Sequence, residues 1–140
     1  MTIEIDPIET IIVWLTDVLD SVSGQVASKH NYREGGWTFG TPGVSVHADG
    51  GPFDLDAHIF RQRLEIRIYA DSTVAIGDVH RQLVGLSREN ERFLVDTSHG
   101  NAFVYFLYPE TGLSLLFDDV LNQDIGVVFF QTQISEEAVP

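Results

Sequence analysis

The stretch RQRLEIRIYADSTVAIGDVHRQLVGLSRE, residues 61–89, decides the fold because its hydrophobic period changes once along its length. Apolar and charged residues alternate over residues 59–70, which predicts a strand with one face on a core and the other on solvent or a partner. From Thr73 to Glu89 the apolar spacing becomes helical. The buried stripe of this helix is predicted to comprise Ile76, Val79, Leu83 and Leu86. Asp71, Ser72 and Thr73 are candidate N-caps, so the strand runs directly into a helix that folds back over the sheet.

A further helix is predicted near the N-terminus, over residues 7–22. Asp6 is placed as the N-cap, Pro7 as the first helical residue and Glu9 as the third residue of a capping box. Trp14 lies about 100° from the centre of the apolar stripe, so either its own domain covers it or it contacts a partner. The predicted apolar stripe comprises Ile8, Ile11, Ile12, Leu15, Val18, Leu19 and Val22.

The remaining elements are predicted to be strands joined by glycine-rich and acidic segments. The predicted strands span residues 25–30, 44–47, 93–96, 103–108, 113–117 and 126–134. In the last of them, residues 127–130 are apolar on both faces, as in a strand inside the sheet or under a neighbouring subunit, and the polar residues 131–133 indicate an approach to an edge. Residues 35–43, around Trp37, contain too many glycines and prolines for a helix. Together these elements predict an α+β fold, with one mostly antiparallel sheet and two helices packed on it. Residues 1–140 form a single domain in this prediction, with flexible ends at 1–6 and 135–140.

The composition excludes several kinds of chemistry and binding, but it does not indicate a function. The chain of 140 residues has no cysteine, which excludes disulfides, Cys-ligated metals and thiol chemistry. Its formal charge is −13, from 8 basic and 21 acidic residues, which disfavours binding to nucleic acid or to an anionic membrane. No apolar run is long enough to span a membrane, and the acidic N-terminus differs from a secretory signal, so we expect synthesis in the cytoplasm.

The tightest group of potentially reactive side chains is a histidine and aspartate cluster at residues 47–58. Its spacing matches neither an EF-hand loop nor a HExxH helix, which favours a solvated acidic loop over a metal site. The cluster comprises His47, Asp49, Asp54, Asp56 and His58. A nucleophile elbow and a phosphate-binding glycine loop are both missing, and Ser98-His99-Gly100-Asn101 is predicted to be a hairpin connection. We therefore expect no enzyme activity, no cofactor and no metal.

Three arginines, Arg61, Arg63 and Arg67, share the charged face of the long strand with Glu65. Cross-strand pairing on a solvated face is the more common role of such residues. In a chain of charge −13 they also create a polarised surface, which suits identical subunits that meet head to tail. Arg61, Arg63, Arg67 and Trp14 are therefore the candidate interface residues.

The order of elements resembles the tail terminator, or tail completion, proteins of long-tailed bacteriophages. The resemblance covers residues 7–134: an N-terminal amphipathic helix, the segment around Trp37, the strand RQRLEIRIYADS followed by the helix VAIGDVHRQLVGLSRE, and the closing strand IGVVFFQTQI. The acidic loop at 48–56 and the segment LSLLFDDVLN depart from the family pattern.

The resemblance implies a structural protein of the virion tail or neck, not an enzyme. Subunits of this family form a hexameric ring that caps the tail tube, contacts the tube protein and the head–tail connector, and lets DNA pass without specific binding. Two alternatives remain open at this stage. An acidic immunity or inhibitor protein would bind a basic partner, and a metal-dependent enzyme would centre on His47, Asp49 and His58.

Overall fold

The computed structural model describes residues 5–22, 25–27, 42–50, 53–54, 59–118 and 123–136. The helices are α1, Pro7–Val18, and α2, Thr73–Glu89, and a short 3₁₀ turn spans Asp20–Val22. The strands are β1 (Val26–Ala27), β2 (Gly43–Ala48), β3 (Phe53–Asp54), β4 (Ile59–Tyr69), β5 (Phe93–Thr97), β6 (Gly100–Pro109), β7 (Ser114–Asp118) and β8 (Gln123–Glu136). The segment around Trp37, and His58 and Asp56 of the predicted cluster, lie outside the described residues.

The eight strands of the described ranges belong to one sheet, whose order is β1-β2-β4-β8-β6-β5, with β3 paired to β4 and β7 paired to β8. Strands β1 and β2 run parallel, and the other pairs are antiparallel. Helix α1 contacts β5 near one end of this order and β1 and β2 at the other. The sheet therefore curls around the helices, and the predicted α+β class is confirmed.

Strand β4 has the alternation that the sequence predicts. Its residues Leu64, Ile66 and Ile68 are fully buried and join the main core with residues of both helices. Its odd-numbered residues point to the opposite side of the sheet, which no helix covers in the described ranges. We call this opposite side the outer face; it is defined by residues 61, 63, 65 and 67 of β4 and their register partners 133, 131, 129 and 127 of β8.

Helix α1 begins as predicted but ends earlier. The Asp6 carboxylate accepts a hydrogen bond from the Ile8 amide at 2.9 Å, and Pro7 occupies the first turn. The predicted helix to residue 22 is wrong, because α1 ends at Val18 and only a 3₁₀ turn follows. The buried side is also rotated from the prediction, since Thr10 and Trp14 are buried together with Ile11 and Leu15.

Helix α2 follows β4 after residues 70–72 and spans the predicted range. The Ser72 hydroxyl accepts a hydrogen bond from the Ala75 amide at 3.1 Å, which identifies the N-cap among the three candidates. Ile76, Val79 and Leu83 are buried as predicted, whereas Leu86 is only half-buried.

Strand β8 lies inside the sheet, between β4 on one side and β6 and β7 on the other. The prediction that residues 131–133 approach an edge is wrong: Thr132 is fully buried, and its hydroxyl donates to the Phe106 carbonyl at 2.8 Å. Strand β8 also continues to Glu136, through residues expected to be flexible. Strands β6 and β7 follow one another along β8 and are separated by residues 110–113.

Candidate interaction surface

The arginines of β4 lie on the outer face, where the alternating pattern places them. Arg63 is the best connected of the three. Its Nε donates to Glu110 Oε2 at 2.9 Å, its Nη1 donates to Asp49 Oδ2, and its guanidinium lies 4.1 Å from the centroid of the Phe129 ring. Arg63 thus joins the end of β2 to the connection that leaves β6. The hydrogen bond that Arg63 donates to Glu110 holds the pKa of the Glu110 carboxyl below its ordinary value.

The other two arginines differ in whether an acidic side chain pairs with them. Arg67 donates to Glu65 Oε1 at 2.8 Å along the same strand, and both side chains are about three-quarters buried. Arg61 is exposed and forms no ion pair with any residue in the described ranges. The cross-strand pairing that the sequence favoured therefore applies to Arg63, and Arg61 has the charge most available to a second molecule.

Charge is distributed unevenly over the molecule. Around β4, the described charges of Arg61, Arg63 and Arg67 equal in number those of Asp49, Glu65 and Glu110, so that this patch of the outer face has no net charge within a chain of charge −13. The helix side is acidic at α1 and the turn after it: Asp6, Asp17 and Asp20 are exposed, and residues 6–22 include no Lys or Arg. A patch without net charge repels another copy of this acidic chain less than the acidic edge of α1 does.

Aromatic side chains extend the outer face toward β5. Strand register places Phe103, Phe106 and Tyr108 of β6 on this side, next to Leu94 of β5. Tyr108 and Leu94 are about half exposed, and the ring centroids of Phe106 and Tyr108 are 4.9 Å apart. A surface of aromatic groups beside arginines is typical of protein–protein contacts.

Trp14 is placed differently from the arginines. Its side chain is 8% exposed, and its ring centroid lies 4.6 Å from that of Phe93 in β5. This location agrees with the alternative in which its own domain covers Trp14, since Phe93 of β5 contacts the ring. Trp14 has little surface left for a partner, so the interface prediction depends on the arginines.

The described part of the histidine and aspartate cluster is engaged in other contacts. His47 Nε2 lies 2.8 Å from Ser45 Oγ, and the Asp49 carboxylate binds Arg63. Within the described ranges no group of three His, Asp or Glu side chains is close enough to hold a metal ion.

The turn between β5 and β6 contains a serine, a histidine and a glutamate in contact. Glu9 of α1 accepts from the Ser98 amide at 2.8 Å and from the Ser98 hydroxyl at 2.6 Å, and its Oε2 lies 3.1 Å from His99 Nδ1. Ser98 Oγ also lies 3.0 Å from the same nitrogen. In a hydrolytic triad the serine and the acid contact opposite nitrogens of the imidazole. The three residues therefore anchor a hairpin turn to α1, and the predicted hairpin at residues 98–101 is confirmed.

This anchor corrects the predicted capping box. The Glu9 carboxylate reaches Ser98 and His99 instead of completing the box at Asp6. The Ser98 hydroxyl, followed by the Ser98 amide, lowers the pKa of Glu9.

Sequence reasoning missed a second exposed surface, at β7. Leu115, Leu116 and Phe117 are consecutive and are 48%, 54% and 59% exposed. The sequence did mark this region as unusual, because the segment LSLLFDDVLN departs from the pattern of the tail terminator proteins that the chain resembles. An apolar run of this kind indicates a buried strand when only its composition is considered.

Two open cavities do not indicate a catalytic or ligand-binding site. One, of about 310 Å³, lies at the β6 bulge and is lined by Glu91, Arg92, Tyr105, Phe106 and Gln133. The other, of about 320 Å³, lies at the start of α2, where Asp71 and Asp124 oppose an anionic ligand.

Comparison with known proteins identifies no relative: no family model matches the chain, and a search of curated proteins finds no significant match. In the described ranges, neither helix has the length and hydropathy needed to cross a membrane.

Proposed function

We propose that the protein is a tail terminator subunit of a long-tailed bacteriophage, which assembles into a ring on the finished tail tube and joins the tail to the head. The sequence resemblance to that family motivates the proposal. The order of α1, a long β4 that leads directly into α2, and a closing β8 is compatible with it.

The observation that carries the proposal is the polarised charge of the molecule. A neutral patch of the outer face, where Arg61 has no ion pair in the described ranges, contrasts with an acidic helix edge at Asp17 and Asp20. In our proposal, the outer face of one copy contacts the acidic edge of the next. Such a contact joins two different patches, and repeating it closes a ring when the rotation between neighbours allows.

The remaining acidity fits the same role. Most of the charge of −13 stays off the neutral patch, so an assembled ring presents acidic groups on its other surfaces. An acidic lumen repels phosphate and lets DNA pass without binding. The tube protein and the head–tail connector would then contact the two rims of the ring.

Electron microscopy tests this proposal. Negatively stained wild-type protein, at high concentration or mixed with tail tubes, is expected to show rings with a central hole. A one-to-one complex of a single copy with a basic protein would contradict the proposal and favour an acidic inhibitor.

A further inference from the structure

Strand β7 is the most exposed apolar element in the described ranges. Three consecutive apolar side chains, Leu115, Leu116 and Phe117, are each about half exposed. Because successive residues of a strand point to opposite sides, both faces of β7 carry exposed apolar surface. Other large exposed apolar residues, such as Val74 and Leu94, have no exposed apolar neighbour in the sequence. A run of this kind is characteristic of an interaction site.

One edge of the β7 backbone is also unpaired among the described strands. Strand β7 pairs with β8 through residues 114–118 and with no other strand in the described ranges. A free strand edge readily adds a further strand from another molecule. The apolar side chains and the free edge thus point to the same kind of contact.

The sequence of β7 is complementary to itself in one antiparallel register. When two copies pair around Leu116, that residue faces its own counterpart, and Leu115 faces Phe117 of the second copy. Ser114 then faces position 118 of the second copy, so the two Asp118 residues do not face each other. This register uses the whole strand and opposes no like charges.

The same register continues an existing apolar cluster. Leu116 is the register partner of Ile125, which packs with Tyr69 and Val127 on the outer side of the sheet. Antiparallel pairing of two β7 strands places a two-fold axis perpendicular to the sheet, so the outer sides of the two copies face the same direction. The apolar cluster of one copy then lies next to the same cluster of the other copy, across the new strand pair.

We propose that a second copy of this chain covers the β7 edge by two-fold antiparallel pairing centred on Leu116. A five-residue strand pair buries less surface than a standard stable interface, so the dimer is weak and depends on concentration. A two-fold contact is not part of a single cyclic ring. The inference therefore goes beyond the proposed function and is tested separately from it.

Sedimentation equilibrium of the full chain over a range of concentrations tests the dimer. At concentrations below those that give rings, wild type is expected to approach twice the chain mass of 15.6 kDa. Leu116→Glu is expected to raise the dissociation constant at least about tenfold, since two carboxylates would then face each other. Leu116 is exposed, so this variant is expected to keep the wild-type melting temperature.

Two matched controls replace exposed apolar residues elsewhere. Val74→Glu on α2 and Leu94→Glu on β5 add the same charge at positions 70% and 54% exposed, and both are expected to dimerise like wild type. Loss of the dimer in Leu94→Glu would overturn the proposal, because it would place the β5 edge in the contact.

Disulfide trapping tests the register, since the chain has no cysteine of its own. Mild oxidation of Leu116→Cys is expected to link two chains covalently. Ser114→Cys is expected to give no link, because in this register its two copies lie about 13 Å apart along the strand, beyond the reach of a disulfide.

Besides loss of the dimer in Leu94→Glu, three results would overturn the proposal. They are a wild-type chain that stays monomeric at all concentrations, an undiminished dimer in Leu116→Glu, and a β7 edge that pairs only with a strand of a different protein. The proposed function has separate outcomes: Leu116→Glu is expected to form rings, and Arg61→Glu is expected to dimerise.

Discussion

At the scale of single residues, the anchor between Glu9 and the β5–β6 turn makes a testable contribution to stability. Glu9→Gln removes a charged acceptor of the Ser98 amide and hydroxyl, and we expect the free energy of unfolding to fall by about 1 kcal/mol at neutral pH. The pKa of Glu9 is lowered in the folded chain, so this contribution is present above the ordinary glutamate pKa and disappears as the pH falls through the lower, folded value.

Urea denaturation of wild type and Glu9→Gln at neutral and at acidic pH measures this effect. The difference between the two proteins is expected to shrink in acid. Asp17→Asn, which alters an exposed carboxylate on the same helix, is the control and is expected to have little effect at either pH. Equal stability of Glu9→Gln and wild type at neutral pH would show that the anchor does not stabilise the fold.

Arg63 gives a second prediction at this scale. Arg63→Gln removes the contacts with Glu110 and Asp49, and the melting temperature is expected to fall at neutral pH. Because Arg63 lowers the pKa of Glu110, the difference from wild type is expected to diminish as the pH falls through the folded pKa of Glu110. Arg61→Gln, on the same face but without an ion pair in the described ranges, is the control. An identical change in melting temperature for both variants would contradict this account.

At the scale of elements, alanine substitution at two glycines is expected to change the stability of the fold in opposite directions. A Cβ at Gly126 of β8 would lie 2.6 Å from Ile76 Cγ2 and 2.9 Å from Leu113 Cδ1, so Gly126→Ala is expected to destabilise the fold by about 1–3 kcal/mol. A Cβ at Gly85 of α2 would meet nothing within 4 Å, and Gly85→Ala is expected to stabilise it by about 0.5–1 kcal/mol. Chemical denaturation of both variants measures the signs. A stability loss in Gly85→Ala would contradict the packing described for α2.

The elements that the sequence predicted well are those with a strict local period. Strand β4 and helix α2 follow their periods almost to the residue, because each has one buried side. The buried side of α1 was misplaced since the curled sheet covers the helix from two directions and buries Thr10 and Trp14 as well. The polar residues 131–133 were predicted to approach an edge because polar side chains usually face solvent. The sequence could not show that the Thr132 hydroxyl is buried and donates to the Phe106 carbonyl.

The candidate site was predictable only in part. Alternation placed Arg61, Arg63 and Arg67 on one face, but it did not show that Arg63 and Arg67 have partners within the chain while Arg61 has none in the described ranges. The two partners of Arg63 come from the residue after β2 and from the connection after β6, and such long-range pairs depend on the fold, whereas Arg67 pairs with Glu65 within β4. The exposure of β7 was missed for the same reason.

At the scale of the whole molecule, the proposed ring depends on charge polarity. Arg61→Glu reverses a charge on the outer face that has no ion pair among the described residues, and we expect it to abolish rings while leaving the melting temperature unchanged. Arg88→Glu makes the same change in net charge at an exposed position on α2 and is the control, which is expected to assemble. Normal rings from Arg61→Glu would show that the outer face is not the subunit contact.

Native mass spectrometry of the chain, alone at increasing concentration and after cross-linking on tail tubes, tests the proposed ring most directly. Our account predicts a closed species of six copies of the 15.6 kDa chain on the tubes. A largest species of two copies, even on the tubes, would contradict it.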